Sequence, residues 1–215
     1  MDKGIIITLP RHDDLTEYLS AFSKNVIKEA FDKGIKLKEL KDKEATRSEF
    51  EKAVVRLNYS MIILNGHGTP SSIKGYKDEI LVSMGLNEHL LKEKIVYARS
   101  CEAGINLGKS ICSNSKNGCF IGYLAPFKFW ARNSSAHDPT TDNVAKMFLE
   151  PSNLIPISLI KGSNTEEANQ KSKRQMLKNM NKLLRNKDSL SITLARDLWN
   201  NYFGQVLFGN EKAFL

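Results

Sequence analysis

Two short stretches of this 215-residue chain carry residue types whose spacing could do covalent chemistry. In the first, Met61-Ile62-Ile63-Leu64-Asn65-Gly66-His67-Gly68-Thr69, an apolar run delivers a histidine between two glycines. In the second, Ile95-Val96-Tyr97-Ala98-Arg99-Ser100-Cys101-Glu102-Ala103-Gly104, the same pattern delivers a cysteine. A thiol must lose its proton to become a nucleophile and a departing amine must gain one, so a cysteine facing a histidine is the minimum set for acyl transfer. Glycines on both sides of His67 let a substrate backbone come close and free amides for an oxyanion. Each residue alone has a plainer explanation: a Gly-His-Gly loop can be a turn, and a strand-end cysteine is commonly a small buried hydrophobe. Their occurrence in this order, on successive strands, favours the chemical reading.

The elements around them must bring the two side chains together. Strand-like runs rich in Ile, Val, Phe and Tyr stand at 5–9, 61–64, 94–98 and 119–124. Between them, Leu15, Leu19, Phe22, Val26 and Ala30 recur at helical spacing over 13–32, with Asp13 or Asp14 as N-cap. Further helices are predicted over 48–57, 86–93, after Gly104, over 141–148 and from about Thr165, where Glu166 and Glu167 suit a first turn. The charged stretch 32–49 reads as an exposed connection, 75–83 as a small extra strand or hairpin, and 128–140 as the longest loop that is not merely charged. Strands alternating with helices predict an α/β fold with a parallel sheet covered on both faces. If the two strands are neighbours, His67 and Cys101 meet at the carboxyl edge of that sheet, where such folds bind ligands.

Composition sets the class. A formal charge of +8, 41% apolar and 26% charged residues describe one globular domain over 1–215 and exclude a disordered tail or a fibre. A chain of this length buries a core without disulfides, and three cysteines without a framework or zinc spacing suit a reducing compartment. No apolar run approaches the ~20 residues of a membrane span, and Gly4–Leu9 stops at Pro10-Arg11 before it could serve as a signal-peptide core, so the expectation is a cytoplasmic protein with no membrane partner. Residues 161–187 hold eight Lys/Arg and two Glu; there Lys171, Arg174, Lys178, Lys182 and Arg185 form one helical stripe, with Leu177, Met180 and Leu184 on another face. The stripe is either a solvated face or a docking surface for an acidic partner or regulator. Without interleaved aromatics or a nucleic-acid motif, direct nucleic-acid binding is not expected.

The strand into Gly66-His67-Gly68, followed 34 residues later by Ser100-Cys101-Glu102-Ala103-Gly104, resembles the CHAT domains of the caspase, gingipain and separase group of cysteine peptidases. Phe120-Ile121-Gly122-Tyr123-Leu124 is similar to the strand after the nucleophile and Asp138–Phe148 to the helix that follows it. Leu198–Gly209 is similar to the aromatic-rich closing segment and last strand, so the resemblance spans about 55–210. It implies a caspase-like three-layer αβα sandwich with a mostly parallel central sheet, and a cysteine endopeptidase acting on a protein substrate in regulated proteolysis of the antiviral-defence or cell-death type. Cys101 would be the nucleophile, His67 the general acid/base, and the amides of Gly68 and Cys101 the oxyanion donors. No third catalytic residue and no cofactor are implied. The sensor modules that usually accompany CHAT domains do not fit in the first 55 residues, so regulation would come from a separate activator or a cleavage.

Specificity is open on the sequence. Arg99 is two residues before Cys101 and shares its face in a strand. With Lys128 and Arg132 it would suit an acidic side chain before the scissile bond, whereas Asp138 would suit a basic one, and Arg99 could instead simply pair with Glu102. Three other readings compete. Ala103–Ser110 satisfies a relaxed phosphate-loop pattern, but begins with Ala and lacks a later strand ending in a magnesium-holding aspartate. A metal site is not expected: Cys101, Cys112 and Cys119 are ten and six residues apart, and His12, His89 and His137 read as surface or loop residues, His137 with a possible place at the cleft. Last, a caspase-like fold could act as a non-catalytic scaffold, since fold does not give function.

Overall fold

The structure, a computed structural model, describes residues 2–131 and 138–215. Arg132 and His137 lie outside the described residues. The chain runs β1 (Asp2–Leu9), α1 (Asp14–Asp32), β2 (Lys36–Lys41), α2 (Arg47–Leu57), β3 (Tyr59–Asn65), β4 (Gly68–Thr69), β5 (Ser72–Lys74), β6 (Ile80–Ser83), β7 (Ile95–Arg99), α3 (Leu107–Cys112), β8 (Cys119–Tyr123), α4 (Asn143–Ile160), α5 (Thr165–Leu184), α6 (Ser189–Gly204) and β9 (Gln205–Gly209). Six strands form one sheet in the order β2-β1-β3-β7-β8-β9, parallel except for the last pair. Strands β4, β5 and β6 form a small antiparallel sheet inserted between β3 and β7.

Because strand side chains alternate faces, each central strand supplies both layers. Ile5, Ile7, Met61, Ile63, Ile95, Tyr97 and Ile121 pack with Val26 of α1, Ile155 and Leu159 of α4 and Ala168 of α5. Ile6, Ile62, Leu64, Val96, Ala98 and Phe120 pack the other way, on Phe50 and Val54 of α2, Leu107 and Ile111 of α3, and Ile73, Leu81 and Val82 of the small sheet. Helix α6 joins the first layer from outside, through Leu194 and Leu198 against Phe148, Met176 and Leu183. The result is a three-layer α/β sandwich around a mostly parallel sheet.

Several elements differ from the sequence expectation. The charged connection at 32–49 contains β2, an edge strand in register with β1 from Gly4↔Lys36 to Leu9↔Lys41; its lysines hid the strand, yet charge is what an exposed edge carries to avoid stray pairing. The 86–93 segment forms only a short 3-10 turn at Glu88–Leu91. Helix α4 does not stop near 148 but continues through Pro151 and Pro156. Each proline withholds an amide from the carbonyl four residues earlier. Both carbonyls find outside donors: Asn179 Nδ2 at 2.8 Å from Met147 O, and Tyr97 Oη at 2.9 Å from Ser152 O. On α5 the basic stripe is exposed as expected, but the buried face is Ala168, Ser172, Met176 and Leu183, leaving Leu184 46% exposed.

Candidate active site

Strands β3 and β7 are direct neighbours, paired in parallel from Met61↔Ile95 to Asn65↔Arg99. His67 and Cys101 each stand two residues beyond that last pair, so the two motifs leave the sheet at the same level. At Gly66 the backbone takes φ +151°, and a Cβ there would collide with the carbonyl of Lys74, which glycine alone avoids. Gly68 lies on the backbone of the cysteine loop: a Cβ on it would strike Cys101 O and come within 2.9 Å of Cys101 N and 2.8 Å of Ser100 Cβ. After Cys101 the chain turns sharply, with Glu102 at φ +58°. The two loops are therefore in contact, and the close approach requires the glycine after the histidine.

Cys101 is half-buried, its Sγ 4.0 Å from Phe127 O. Burial pushes its thiol pKa up, and the Glu102 carboxylate adds to that. The resting group is a neutral thiol and needs a base at the moment of attack. His67 is 34% exposed and its Nε2 is 2.6 Å from Oδ2 of Asp13. Burial pushes the Asp13 carboxyl up, but hydrogen bonds from His67 and Thr16 outweigh it and hold the pKa at about 2. The carboxylate is thus ionised, and an acceptor facing Nε2 at that distance requires Nε2 to carry the proton. In the neutral imidazole Nδ1 is then the free base.

Asp13 comes from the loop between β1 and α1, where its other oxygen caps α1 by accepting the Thr16 amide at 2.8 Å. The chain goes from β1 outward to β2 and then back across to β3, so β1 and β3 flank the point where the strand order reverses. Helices α1 and α2 lie on opposite faces there, leaving the crevice in which open α/β sheets hold ligands. Asp13 and His67 meet over it. No protein-family model matches the chain, and a search of curated proteins finds no match.

The site's geometry corrects the specificity expectation for Arg99 and Lys128 and adds to the case against the phosphate loop. Arg99 does not face a cleft but is 1% exposed. Its Nε donates to Asn65 Oδ1 (2.8 Å), its Nη1 to Asn153 Oδ1 (2.8 Å) and Ser152 Oγ (3.5 Å), and its Nη2 to Leu19 O (3.1 Å) and the Ser23 hydroxyl, so all five donors are used within the fold. None of these partners is Glu102. Lys128 is likewise engaged, 3.2 Å from Asp197 of α6, which also accepts Trp130 Nε1 at 2.8 Å. The phosphate-loop reading fails on its amides: Gly104 N bonds Tyr123 O, Ile105 N bonds Glu102 O, Asn106 N and Leu107 N both bond Pro70 O, and Gly108 N bonds Ala103 O. None of these five is left to cradle a phosphate, and the helix that follows is only six residues long. Asp138 is exposed and caps the 3-10 turn Pro139–Thr141 through Thr140. With Leu9, Arg11, Lys24 and Lys41 it lines a cavity of about 250 Å³ on the α1 side of the β1 and β2 ends.

Two residues of the site were not singled out as functional by the sequence. Asp13 was legible only as a helix cap, 54 positions from His67; the signal that could have found it is that β1 also ends in a polar loop. His12, expected on the surface, has a ring only 11% exposed, set edge-on to His67 and Tyr76 with centroids 6.1 and 5.9 Å away. Neither of its buried ring nitrogens has a hydrogen-bond partner among the described residues.

Proposed function

We propose that the protein is a cysteine endopeptidase with Cys101 as nucleophile, His67 as general acid/base and Asp13 as the residue that positions His67. The observation that carries this reading is that three adjacent parallel strands end in a carboxylate, an imidazole and a thiol, with Gly68 seated on the Cys101 backbone. In the first step His67 Nδ1 takes the thiol proton as Sγ attacks the scissile carbonyl carbon. The amides of Gly68 and Cys101 are the donors for the oxygen as it gains charge. As the C–N bond breaks, the imidazolium returns the proton to the leaving amine, and a thioester remains. Water, deprotonated by the same nitrogen, then cleaves the thioester and releases the free thiol and a carboxylic acid. Throughout, Asp13 stabilises the imidazolium and keeps the ring from flipping.

The finer expectation of a caspase-like fold of the CHAT kind belongs to the same proposal, supported by the antiparallel last strand β9 and by the small sheet between the two motifs. With Arg99 buried and its donors used within the fold, and Lys128 half-exposed but paired with Asp197, the case for an acidic-residue pocket is weakened. Cleavage of a diverse peptide library, read by mass spectrometry, tests the reading. The full chain is expected to cut, and Cys101→Ala and His67→Ala each to lower the rate by about 10³-fold or more; cuts that persist in Cys101→Ala would assign the activity elsewhere. The residue before the cut reports specificity directly.

A further inference from the structure

We propose that His12, His67 and Asp78 form a binding site for one divalent first-row transition-metal ion, and that an ion held there withdraws His67 from acid–base work. The binding stands on geometry alone; its inhibitory consequence rests on the peptidase reading above.

One ligand atom from each of the three side chains lies within 4.8 Å of the other two, the one such group of three among the described residues. They come from three separate elements around the crevice: the β1–α1 loop, the β3–β4 loop, and the short turn Tyr76–Asp78 between β5 and β6. Tetrahedral zinc with bonds of about 2.0–2.2 Å holds its ligand atoms about 3.3–3.6 Å apart, so atoms within 4.8 Å of one another close on an ion with side-chain movement of at most about 1.5 Å. His12 is free to make it, since no hydrogen bond among the described residues holds its ring. A buried imidazole without a hydrogen bond is unfavourable, and coordination removes that penalty. Asp78 is exposed, and both it and Lys77 adopt left-handed backbone, at φ +63° and +51°. Lys74 Nζ, 3.8 Å from Asp78 Oδ1, is the competing cation.

The donor set selects the ion. Two imidazoles and one carboxylate suit zinc, nickel, copper or iron(II) rather than calcium or magnesium, which demand oxygen ligands. Asp13 adds a second carboxylate, with Oδ2 2.6 Å from His67 Nε2 and 3.6 Å from His12 Nε2, so it stands in reach to orient the imidazoles or to balance the ion's second charge. Cys101 is not needed, which separates this site from a simple thiolate–imidazole trap.

The test uses the full chain, stripped with a chelator and titrated with zinc by calorimetry and with cobalt(II) by absorption. One ion per chain is expected, with cobalt d–d bands of a nitrogen/oxygen site and no thiolate charge-transfer band. Cys101→Ser should bind with unchanged affinity, Asp78→Asn and His12→Gln at least tenfold more weakly, and a large excess of magnesium should not compete. Asp78→Asn changes an exposed turn and keeps the fold; the melt of His12→Gln is checked beside it. Absence of saturable binding, full affinity in both variants, or a wild-type thiolate band that disappears together with binding in Cys101→Ser would overturn the site. Peptide cleavage is then measured with the site filled: cleavage undiminished by bound zinc overturns the inhibitory half. Binding without any cleavage at any zinc level would count against the peptidase reading and leave the metal site standing.

Discussion

Asp13 serves two purposes with one carboxylate, and the two can be separated. Its Oδ1 caps α1 through Thr16 while Oδ2 holds His67. Asparagine caps a helix about as well as aspartate, but has no charge to hold Nε2 in its protonated form beside a developing imidazolium. Asp13→Asn is therefore expected to melt close to the wild type while peptide cleavage falls roughly 10²–10⁴-fold. Asp13→Ala should show the same loss of rate plus about 1 kcal/mol of stability from the missing cap. Wild-type cleavage rates in both variants would remove Asp13 from the mechanism. Arg99 makes the complementary case of a residue near the nucleophile that acts through structure. It ties β7 to Asn65 on β3, to Leu19 and Ser23 on α1 and to Asn153 on α4, so it fixes the strand ends from which His67 and Cys101 depart. Arg99→Met leaves several buried acceptors without donors and should cost about 3 kcal/mol or more in a thermal melt. An unchanged melt with altered preference at the cut site would restore the specificity role that burial denies it.

Among the elements, α6 holds the segment after β8 partly through the buried carboxylate of Asp197, beside Asn201, which bonds both the amide and the carbonyl of Lys128. Burial pushes the Asp197 pKa up, but hydrogen bonds from Trp130 and Lys128, with the Lys128 charge, outweigh it and leave the group below its ordinary value of 3.8. A carboxyl depressed in the folded state adds stability that is complete above the unfolded value and drains away as pH falls through the folded one. Melting temperatures from neutral pH downward should show the wild type losing, below about pH 4, stability that Asp197→Asn never had, so that the two curves converge in acid. Parallel curves would remove Asp197 from the acid response. Helix α4 shows a different kind of dependence. Its two prolines are legible as helix breakers, yet Asn179 and Tyr97, which come from other elements, supply the donors that let it continue. Nothing within 143–160 announces them.

At the scale of the molecule, the sheet order places stability unevenly. Strands β1, β3 and β7 are paired on both sides and buried on both faces, while β2 is an edge. Hydrogen exchange followed by mass spectrometry should find the amides of 61–64 and 95–98 the slowest, and those of 36–41 and 76–78 much faster, because edge and turn amides open without global unfolding. Protection of β2 equal to that of β3 would contradict this order. The same gradient suits the site: the strand bodies are rigid, and the loops that carry Asp13, His67 and Asp78 stand at their ends.

The sequence by itself determined the alternation of strands and helices, the two motifs at strand ends, and the glycines that a close approach demands. These are local properties: periodicity, apolar runs and backbone freedom need only a few neighbouring residues. What only the tertiary structure decided lies between distant positions. The partner of His67, the burial of Arg99, the committed amides of 104–108, the edge strand written in lysines and the continuation of α4 through two prolines all depend on which strands are neighbours. Hydrogen-bond satisfaction and burial are set across the fold, by groups tens of residues away, and no window along the chain contains both members of those pairs.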